Sequence, residues 1–270
     1  MSLKNFDKIK IYFNRNHKAG FDFQLNELIE NNTRCITFQK NNDLQYLIRV
    51  GINKLSKTKR FTKFLRLKYE KDIFIYEKEL WEVPNFSIIF GSYINYRYVD
   101  NVFTSLNKEI NIWFSKVVLP TSLQDKIQNS LVLHIRRGDV ANGRAALIRG
   151  NLTSNYYKKA LEIIYKKSNA PFENIIAITD DLIAAQMEFA TLPINHWYGP
   201  DDLDAIQALK LFSISKNFIG ANSTLSWWGA RLAVEMPKRN SILPTPWLGF
   251  LPSKADEALF IPNVSFIKSE

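Results

Sequence analysis

Residues 217–230 of the chain have the sequence NFIGANSTLSWWGA, and this stretch decides the fold. An apolar run that ends at Gly220 is followed by small polar residues, and a helical stretch begins near Ala230. Ser and Thr at a helix N-terminus lie beside backbone N–H groups that lack intrahelical partners, and such groups bind anions. The pattern predicts a strand, a tight turn and a helix start that hold a phosphate. The polar residues are Asn222, Ser223, Thr224 and Ser226.

A second stretch, LVLHIRRGD at residues 131–139, complements the first. Its apolar part, Leu131 to Ile135, predicts a buried strand that runs directly into Arg136 and Arg137. Arginines at that position need anionic partners, and open α/β sheets bind ligands at the carboxyl ends of their strands. Guanidinium groups donate paired hydrogen bonds to phosphate oxygens. The two stretches together therefore predict a diphosphate site.

Both stretches resemble motifs of one enzyme family. HIRRGD at residues 134–139 is similar to the His-x-Arg-Arg-x-Asp motif of the α-1,2-fucosyltransferases of glycosyltransferase family 11. ANSTLSWWGA at residues 221–230 resembles that family's Asn-Ser-Ser/Thr-Phe-Ser-Trp-Trp-Gly-Ala segment. Weaker similarities follow in the same order, at residues 91–98, 156–160 and 178–181. The resemblance covers roughly residues 90–250.

The resemblance implies a fold and a reaction. The implied fold class is α/β and GT-B-like, with two Rossmann-like domains and a cleft between them. The implied reaction is the inverting, metal-independent transfer of fucose from GDP-fucose to a galactose-terminated acceptor in α-1,2 linkage, in surface polysaccharide or O-antigen synthesis. At residues 16–24 the chain has NHKAGFDFQ where the family has Gly-Gly-Leu-Gly-Asn-Gln-Met-Phe-Gln. That loop would face the sugar, so the donor sugar and the acceptor stay open.

Length and element pattern predict two domains, since 270 residues suffice for two cores. Strand and helix signals alternate after residue 130, which predicts a parallel sheet with helices on both faces. We predict an acceptor-side α/β domain over residues 1–125. A nucleotide-sugar-binding Rossmann-like domain would cover 126–270, with its last residues returning to the first domain. Predicted strands are 9–13, 35–39, 87–90, 131–135, 174–179, 217–220 and 241–243; predicted helices are 21–30, 153–168, 182–190, 202–215 and one after Ser223.

Composition limits the compartment in which the chain works. The single cysteine, Cys35, excludes an intrachain disulfide and fits a reducing compartment. The first residues, MSLKNFD, lack the apolar region of a secretory signal. No later run approaches the ~20 apolar residues of a membrane span. We therefore expect a cytoplasmic protein, soluble or peripheral at the inner membrane.

The net charge of +10 is concentrated in residues 54–71, where eight basic residues meet one glutamate. Aromatic and leucine side chains are interleaved with the charges. A solvated helix, contact with an anionic membrane surface, and nucleic-acid binding are all consistent with this segment. If the acceptor were lipid-linked, contact of this segment with the inner membrane would bring the protein to its substrate. No nucleic-acid-binding motif accompanies the charge, so nucleic acid is not an expected partner.

The candidate catalytic residues are Arg136, Arg137 and Asp139. Charge develops on the leaving diphosphate, and cationic side chains and backbone N–H groups must stabilise it where no metal does. We expect one arginine to face the phosphates and the other to brace the loop through Asp139; a purely structural arginine–carboxylate pairing is the alternative. The candidate donor-binding residues are His134, Arg136, Asp180, Asn222, Ser223, Thr224 and Ser226.

Some of these candidates have a structural alternative. His134 fits a hydrogen-bonded core histidine as well as a ligand contact, and the Trp227–Trp228 pair favours packing over sugar stacking. A carboxylate of Asp180–Asp181 could accept from a ribose or a guanine. Otherwise, that pair and the acidic residues at 201–204 are more typical of the N-terminus of a helix than of a cation site. No metal site is predicted.

Two matters stay open from the sequence. The general base is not determined among Asp139, His17 and Asp22. The function has two rivals: a transferase of the same architecture that uses another sugar nucleotide, and a non-catalytic basic module that binds membrane or nucleic acid.

Overall fold

A computed structural model describes residues 9–13, 36–40, 67–80, 88–90, 94–138, 150–168, 171–233, 235–247 and 254–269. The chain divides into two compact units, Met1–Glu109 and Ile110–Glu270. The division falls inside a helix, Phe103–Phe114, that the sequence analysis did not predict. The predicted domain boundary at residues 125 and 126 stays a prediction.

The first unit contains two separate pairs of parallel strands. Strand β1 (Ile9–Phe13) pairs with β2 (Ile36–Lys40), and β3 (Leu67–Tyr69) pairs with β4 (Ile88–Phe90). Three of these strands lie within one residue of their predicted positions. β3 was not predicted, and it shows that the end of the basic segment 54–71 is a strand rather than part of a helix. A 3-10 helix (Lys78–Leu80), α1 (Tyr96–Asp100) and the start of α2 (Phe103–Phe114) follow.

The second unit is built on one six-stranded parallel sheet. Its strands are β5 (Ser130–Ile135), β6 (Asn174–Thr179), β7 (His196–Tyr198), β8 (Asn217–Ile219), β9 (Asn240–Thr245) and β10 (Ser265–Lys268). Its helices after α2 are α3 (Thr121–Gln124), α4 (Ser154–Lys167), α5 (Leu182–Glu188), α6 (Ala205–Ile214), α7 (Thr224–Leu232) and α8 (Lys254–Ala258). Every neighbouring pair of strands is parallel, as the alternating pattern predicts.

The order of strands defines where this sheet can bind a ligand. Across the sheet the order is β10-β9-β8-β5-β6-β7. The chain therefore starts in the middle at β5, builds outward to β7, and then returns to lay down β8 on the other side. This is the doubly wound Rossmann order, and its switch point lies between β5 and β8. The two motifs of the sequence analysis follow these two strands.

Alternate residues of β5 pack against different helices, as the pleat of a strand requires. Leu131, Leu133 and Ile135 belong to a buried cluster that includes residues of α4 and α5. His134 faces the other side, where its ring lies 5.0 Å from that of Phe212 in α6. All six residues of β5 are buried, because helices cover both faces of the sheet.

The carboxyl terminus extends this sheet. β10 pairs parallel with β9 from Ser265 opposite Ile242 to Lys268 opposite Thr245. In the structure residues 265–268 form the outer strand of the second unit's sheet. The predicted return of the last residues onto the first domain stays a prediction. Within the described part of the chain, no helix combines the length and apolar character needed to cross a bilayer.

Helices α6 and α7 approach each other closely at Gly229. A Cβ atom at Gly229 would overlap the Cβ of Phe212, which is attached directly to the backbone of α6 and cannot rotate away. In an open helix, Gly→Ala stabilises by about 1 kcal/mol, whereas overpacking costs roughly 1–3 kcal/mol. We expect Gly229→Ala to lower the free energy of unfolding by about 2 kcal/mol in urea denaturation. The exposed Thr224→Ala on the same helix is the control; a more stable Gly229→Ala would contradict this packing.

Candidate active site

The candidate site is the place where β5 and β8 separate. These strands pair from Leu131 opposite Asn217 to Leu133 opposite Ile219. β5 then continues only along β6, to Ile135 opposite Thr179, while Gly220 N–H donates to Ile242 O in β9 at 2.9 Å. The loops that follow β5 and β8 therefore border an opening at the carboxyl edge of the sheet. We call them the arginine loop (136–138) and the serine loop (220–223).

Arg136 is the more accessible of the two arginines. Its side chain is 23% exposed, and its Nη1 lies 3.7 Å from Asp180 Oδ2, which is itself 28% exposed. A pair at this separation is loose, and such partly solvated pairs contribute at most about 1 kcal/mol to folding. The Arg136 guanidinium therefore remains partly accessible to another anion.

Arg137 points into the protein and braces the arginine loop. Its side chain is 3% exposed, and Nε and Nη2 each lie 2.7 Å from a carboxylate oxygen of Glu188 at the end of α5. Nη2 also donates to Leu152 O, and the guanidinium carbon lies 4.5 Å from the centroid of the Phe189 ring. The sequence analysis expected one arginine to brace the loop, and Arg137 has such contacts. The carboxylate partner that the structure describes is Glu188, and Asp139 lies outside the described residues.

Asp180 holds the arginine loop onto β6. Its Oδ1 accepts from Arg137 N–H at 2.6 Å, and its Oδ2 is the partner of Arg136. A Cβ at Gly138 would lie 2.8 Å from Oδ2, so glycine is the residue that lets the loop approach this carboxylate. Asp181 caps α5 by accepting from Ala184 N–H at 3.1 Å. Both carboxylates therefore make structural contacts within the described part of the chain.

The serine loop leads into the N-terminus of α7. Asn222 is buried and donates from Nδ2 to Gly150 O at 3.1 Å. Ser223 is the N-cap residue, and its hydroxyl accepts from Leu225 N–H at 3.3 Å. Thr224, the first residue of the helix, is exposed. The first turn of an α-helix presents N–H groups and the positive end of the helix dipole, which suits an anion.

His134 and Ser226 contact each other beneath the two loops. His134 Nδ1 lies 2.6 Å from Ser226 Oγ, which also accepts from Ala221 N–H at 2.9 Å. Both side chains are almost wholly buried. The tautomer of His134 sets the direction of this hydrogen bond: Ser226 Oγ donates to an unprotonated Nδ1 and accepts from a protonated one. The structure places this pair as a bridge between β5 and the serine loop, in keeping with the core-histidine alternative for His134. Contact of either residue with the sugar nucleotide stays a prediction.

The pKa of His134 is lowered to about 4, chiefly by burial and also by the nearby Arg136 charge, with Asp180 partly opposing both. The unfolded chain, with an ordinary histidine pKa near 6.5, therefore binds more protons than the folded protein between pH 6.5 and pH 4. The stability that the protein gains from holding His134 unprotonated is therefore fully present above pH 6.5, and it is lost as the pH falls from 6.5 to 4. At pH 5 we expect His134 to lower the free energy of unfolding by about 2 kcal/mol relative to pH 7.5. Urea titrations of wild type and His134→Asn at both pH values test this, since the variant should lack this contribution.

Other predicted residues have structural positions. Trp227 is buried and donates from Nε1 to Leu259 O at 2.7 Å, and its ring meets that of Trp228 edge to face, which confirms the predicted packing of Trp227. Asp204 caps α6 in a reciprocal capping box with Gln207, as the helix interpretation of residues 201–204 predicts. Asp202 accepts from Gly199 N–H at 2.8 Å.

Several predictions lie outside the described residues. They concern Asp139, the loop at 16–24 with His17 and Asp22, most of the basic segment, Cys35, the helix at 21–30 and the first part of the similarity at 91–98. The general base is therefore not determined by this geometry. Sequence reasoning missed Glu188, because an acidic residue at the end of a helix carries no sequence signal for a partner 51 positions away.

The fold and the site together define the class of protein as a doubly wound, Rossmann-like α/β protein. A doubly wound parallel sheet brings an accessible arginine and a helix N-terminus to its switch point, the place where such domains bind nucleotides.

The chain belongs to glycosyl transferase family 11, whose sequence profile matches residues 9–241. The O-antigen biosynthesis glycosyltransferase WbnK of Escherichia coli is 39% identical over 107 residues, which are 38% of this chain and 34% of that protein. An alpha-1,2-colitosyltransferase of Escherichia coli is 33% identical over 129 residues, 44% of this chain and 41% of that protein. The matched parts thus span less than half the length of these relatives. No solved structure matches the chain significantly.

Proposed function

We propose that this protein transfers a sugar from a nucleoside diphosphate sugar to a glycan during O-antigen synthesis. The observation that carries the proposal is that Arg136 and the N-terminus of α7 directly follow the two strands that separate at the switch point. Family membership and the printed names of the two relatives support it. The preferred donor is GDP-fucose, and the preferred acceptor is a galactose-terminated glycan that receives fucose in α-1,2 linkage.

The proposed chemistry follows from the charge of the leaving group. As the glycosidic bond breaks, negative charge grows on the β-phosphate. Arg136 would stabilise this charge from one side, while Ser223, Thr224 and the first N–H groups of α7 stabilise it from the other. Fixed donors of this kind act without a metal, and they are worth most at the transition state. Arg137, Asp180, His134 and Ser226 would hold the two loops in place.

A second donor has a specific observation in its favour. One relative is named for transfer of colitose, and the chain departs from the fucosyltransferase pattern at residues 16–24. A transferase with the same diphosphate site and another sugar specificity accounts for both facts. The proposal also includes a GT-B architecture of two Rossmann-like domains and work at the inner membrane surface on a lipid-linked acceptor. A non-catalytic basic module is the remaining rival.

The experiment is GDP release in the presence of EDTA, with GDP-fucose and GDP-colitose as donors and a panel of galactose-terminated acceptors. Release from GDP-fucose that requires an acceptor supports metal-independent fucosyl transfer, and linkage analysis of the product tests the α-1,2 bond. Release only from GDP-colitose moves the assignment to the second donor. Folded protein that releases no GDP with any donor and acceptor, and that gains no thermal stability from GDP, would overturn the enzymatic proposal.

A further inference from the structure

Two adjacent tyrosines of α4 reach the two strands that border the switch point. Tyr157 donates from its hydroxyl to His134 O in β5 at 2.9 Å. Tyr156 donates from its hydroxyl to Gly220 O, directly after β8, at 2.7 Å. One helix therefore contacts both strands at the point where they separate.

These carbonyl groups lie just beyond the last paired residues of the two strands. The pairing of β5 with β8 ends at Leu133 and Ile219, so His134 and Gly220 are the first residues on each side of the opening. Buried backbone carbonyls that leave a ladder need other donors, and an unsatisfied one is costly. The tyrosine hydroxyls donate to these two carbonyls at the end of the β5–β8 ladder.

The tyrosine pair is rigid. The two rings are 0% and 1% exposed, and they meet edge to face with centroids 4.9 Å apart. The Tyr157 ring also packs edge to face on Phe189, the residue whose ring lies under the Arg137 guanidinium. Burial raises the pKa of both phenols, so both hydroxyls keep their protons at neutral pH.

The opposite face of the opening has a second bridge. There the His134 side chain reaches Ser226, whose hydroxyl accepts from Ala221 N–H in the serine loop. The two strand ends are thus joined by side chains on both faces instead of by strand pairing.

We propose that Tyr156 and Tyr157 are positioning residues that hold the arginine loop and the serine loop at a fixed separation. The role of this fixed separation rests on the proposed function: it would let Arg136 and the α7 N-terminus contact the same diphosphate. Its structural content, that each hydroxyl fixes one loop, applies to the protein without any ligand.

The first test measures amide hydrogen exchange of the ligand-free protein by NMR, for Tyr156→Phe and Tyr157→Phe. Tyr157→Phe should accelerate exchange of the Arg137 N–H, and Tyr156→Phe that of the Ala221 N–H, each by roughly tenfold. Each variant should leave the other loop and the Ile176 amide of the central sheet unchanged. Tyr165→Phe, a half-exposed tyrosine on the same helix, is the matched control. Uniform acceleration across the sheet, or none at either loop, would overturn the inference.

The second test measures binding of GDP and of guanosine to the same variants by calorimetry. Each Tyr→Phe change should weaken GDP binding by roughly three- to tenfold and leave guanosine binding unchanged, because only the diphosphate spans both loops. In an Arg136→Ala background the Tyr157→Phe effect on GDP should vanish. Local exchange effects in a protein that binds no GDP would support the positioning role and refute the proposed function. Wild-type GDP affinity in both variants would overturn the positioning role.

Discussion

Arg136→Ala is expected to lower kcat for sugar transfer by roughly 10²–10³-fold, the effect of removing one transition-state donor. It should also weaken GDP binding by roughly 10–100-fold, because hydrogen bonds to charged groups contribute about 1.5–3 kcal/mol each. The physical reason is the position of Arg136 at the switch point, where its loose pair with Asp180 leaves it able to contact a phosphate. Initial rates at saturating donor, together with calorimetric GDP titrations, measure both effects.

The control for Arg136→Ala must remove one positive charge elsewhere in the same unit. Lys216 is exposed and precedes β8 at the opposite edge of the sheet, so Lys216→Ala matches the change in net charge. We expect Lys216→Ala to retain full activity and GDP affinity. Equal losses of activity in both variants would mean that net charge, rather than a phosphate contact, explains the effect.

Arg137→Ala is expected to have its main effect on stability, with a loss of about 3 kcal/mol in the free energy of unfolding. The substitution leaves the Glu188 carboxylate and Leu152 O without their donor and opens a cavity over Phe189. This loss lies at the lower end of the range for breaking a buried ion pair, because the Glu188 side chain is 48% exposed and water can reach it. In a thermal melt, a loss of this size corresponds to a decrease in Tm of roughly 6–12 °C.

A double-mutant cycle shows whether Glu188 is the bracing partner. Arg137→Ala and Glu188→Ala should together cost less than the sum of the two single changes, since the second removal breaks a pair that is already lost. Arg137→Lys should recover only part of the stability, because an ammonium lacks the planar fork that contacts both carboxylate oxygens. Additive losses would show that Arg137 stabilises the loop through other contacts.

The two motifs predict the centre of the site because each is a local sequence pattern that places its polar residues at one end of a strand or helix. An apolar run that ends in two arginines must place them at the end of a strand, and a Ser-Thr run before a helix must lie at its N-terminus. The Rossmann order then brings both to one switch point. The sequence also predicts that the two arginines differ in role, but it cannot say which arginine is buried. That depends on Glu188 and Phe189, whose position follows from the packing of α5.

The parts that the sequence does not predict depend on long-range contacts. His134 and Ser226 are polar residues beside a predicted phosphate site, and only the three-dimensional fold shows that they contact each other across 92 positions. Tyr156 and Tyr157 lie in the predicted helix 153–168, and their hydroxyl partners lie 64 and 23 positions away. β10 was missed because its four residues, Ser265 to Lys268, are too short a run to distinguish a strand from a polar terminus.

The central claim is that Arg136 contacts the diphosphate of the donor, and the most direct measurement compares GDP with guanosine. Calorimetric titrations of both into wild type, Arg136→Ala and Lys216→Ala isolate the contribution of the diphosphate. Wild type and Lys216→Ala should prefer GDP strongly. Arg136→Ala should lose roughly 10–100-fold of this preference with guanosine affinity unchanged. An undiminished preference for GDP in Arg136→Ala would contradict the claim.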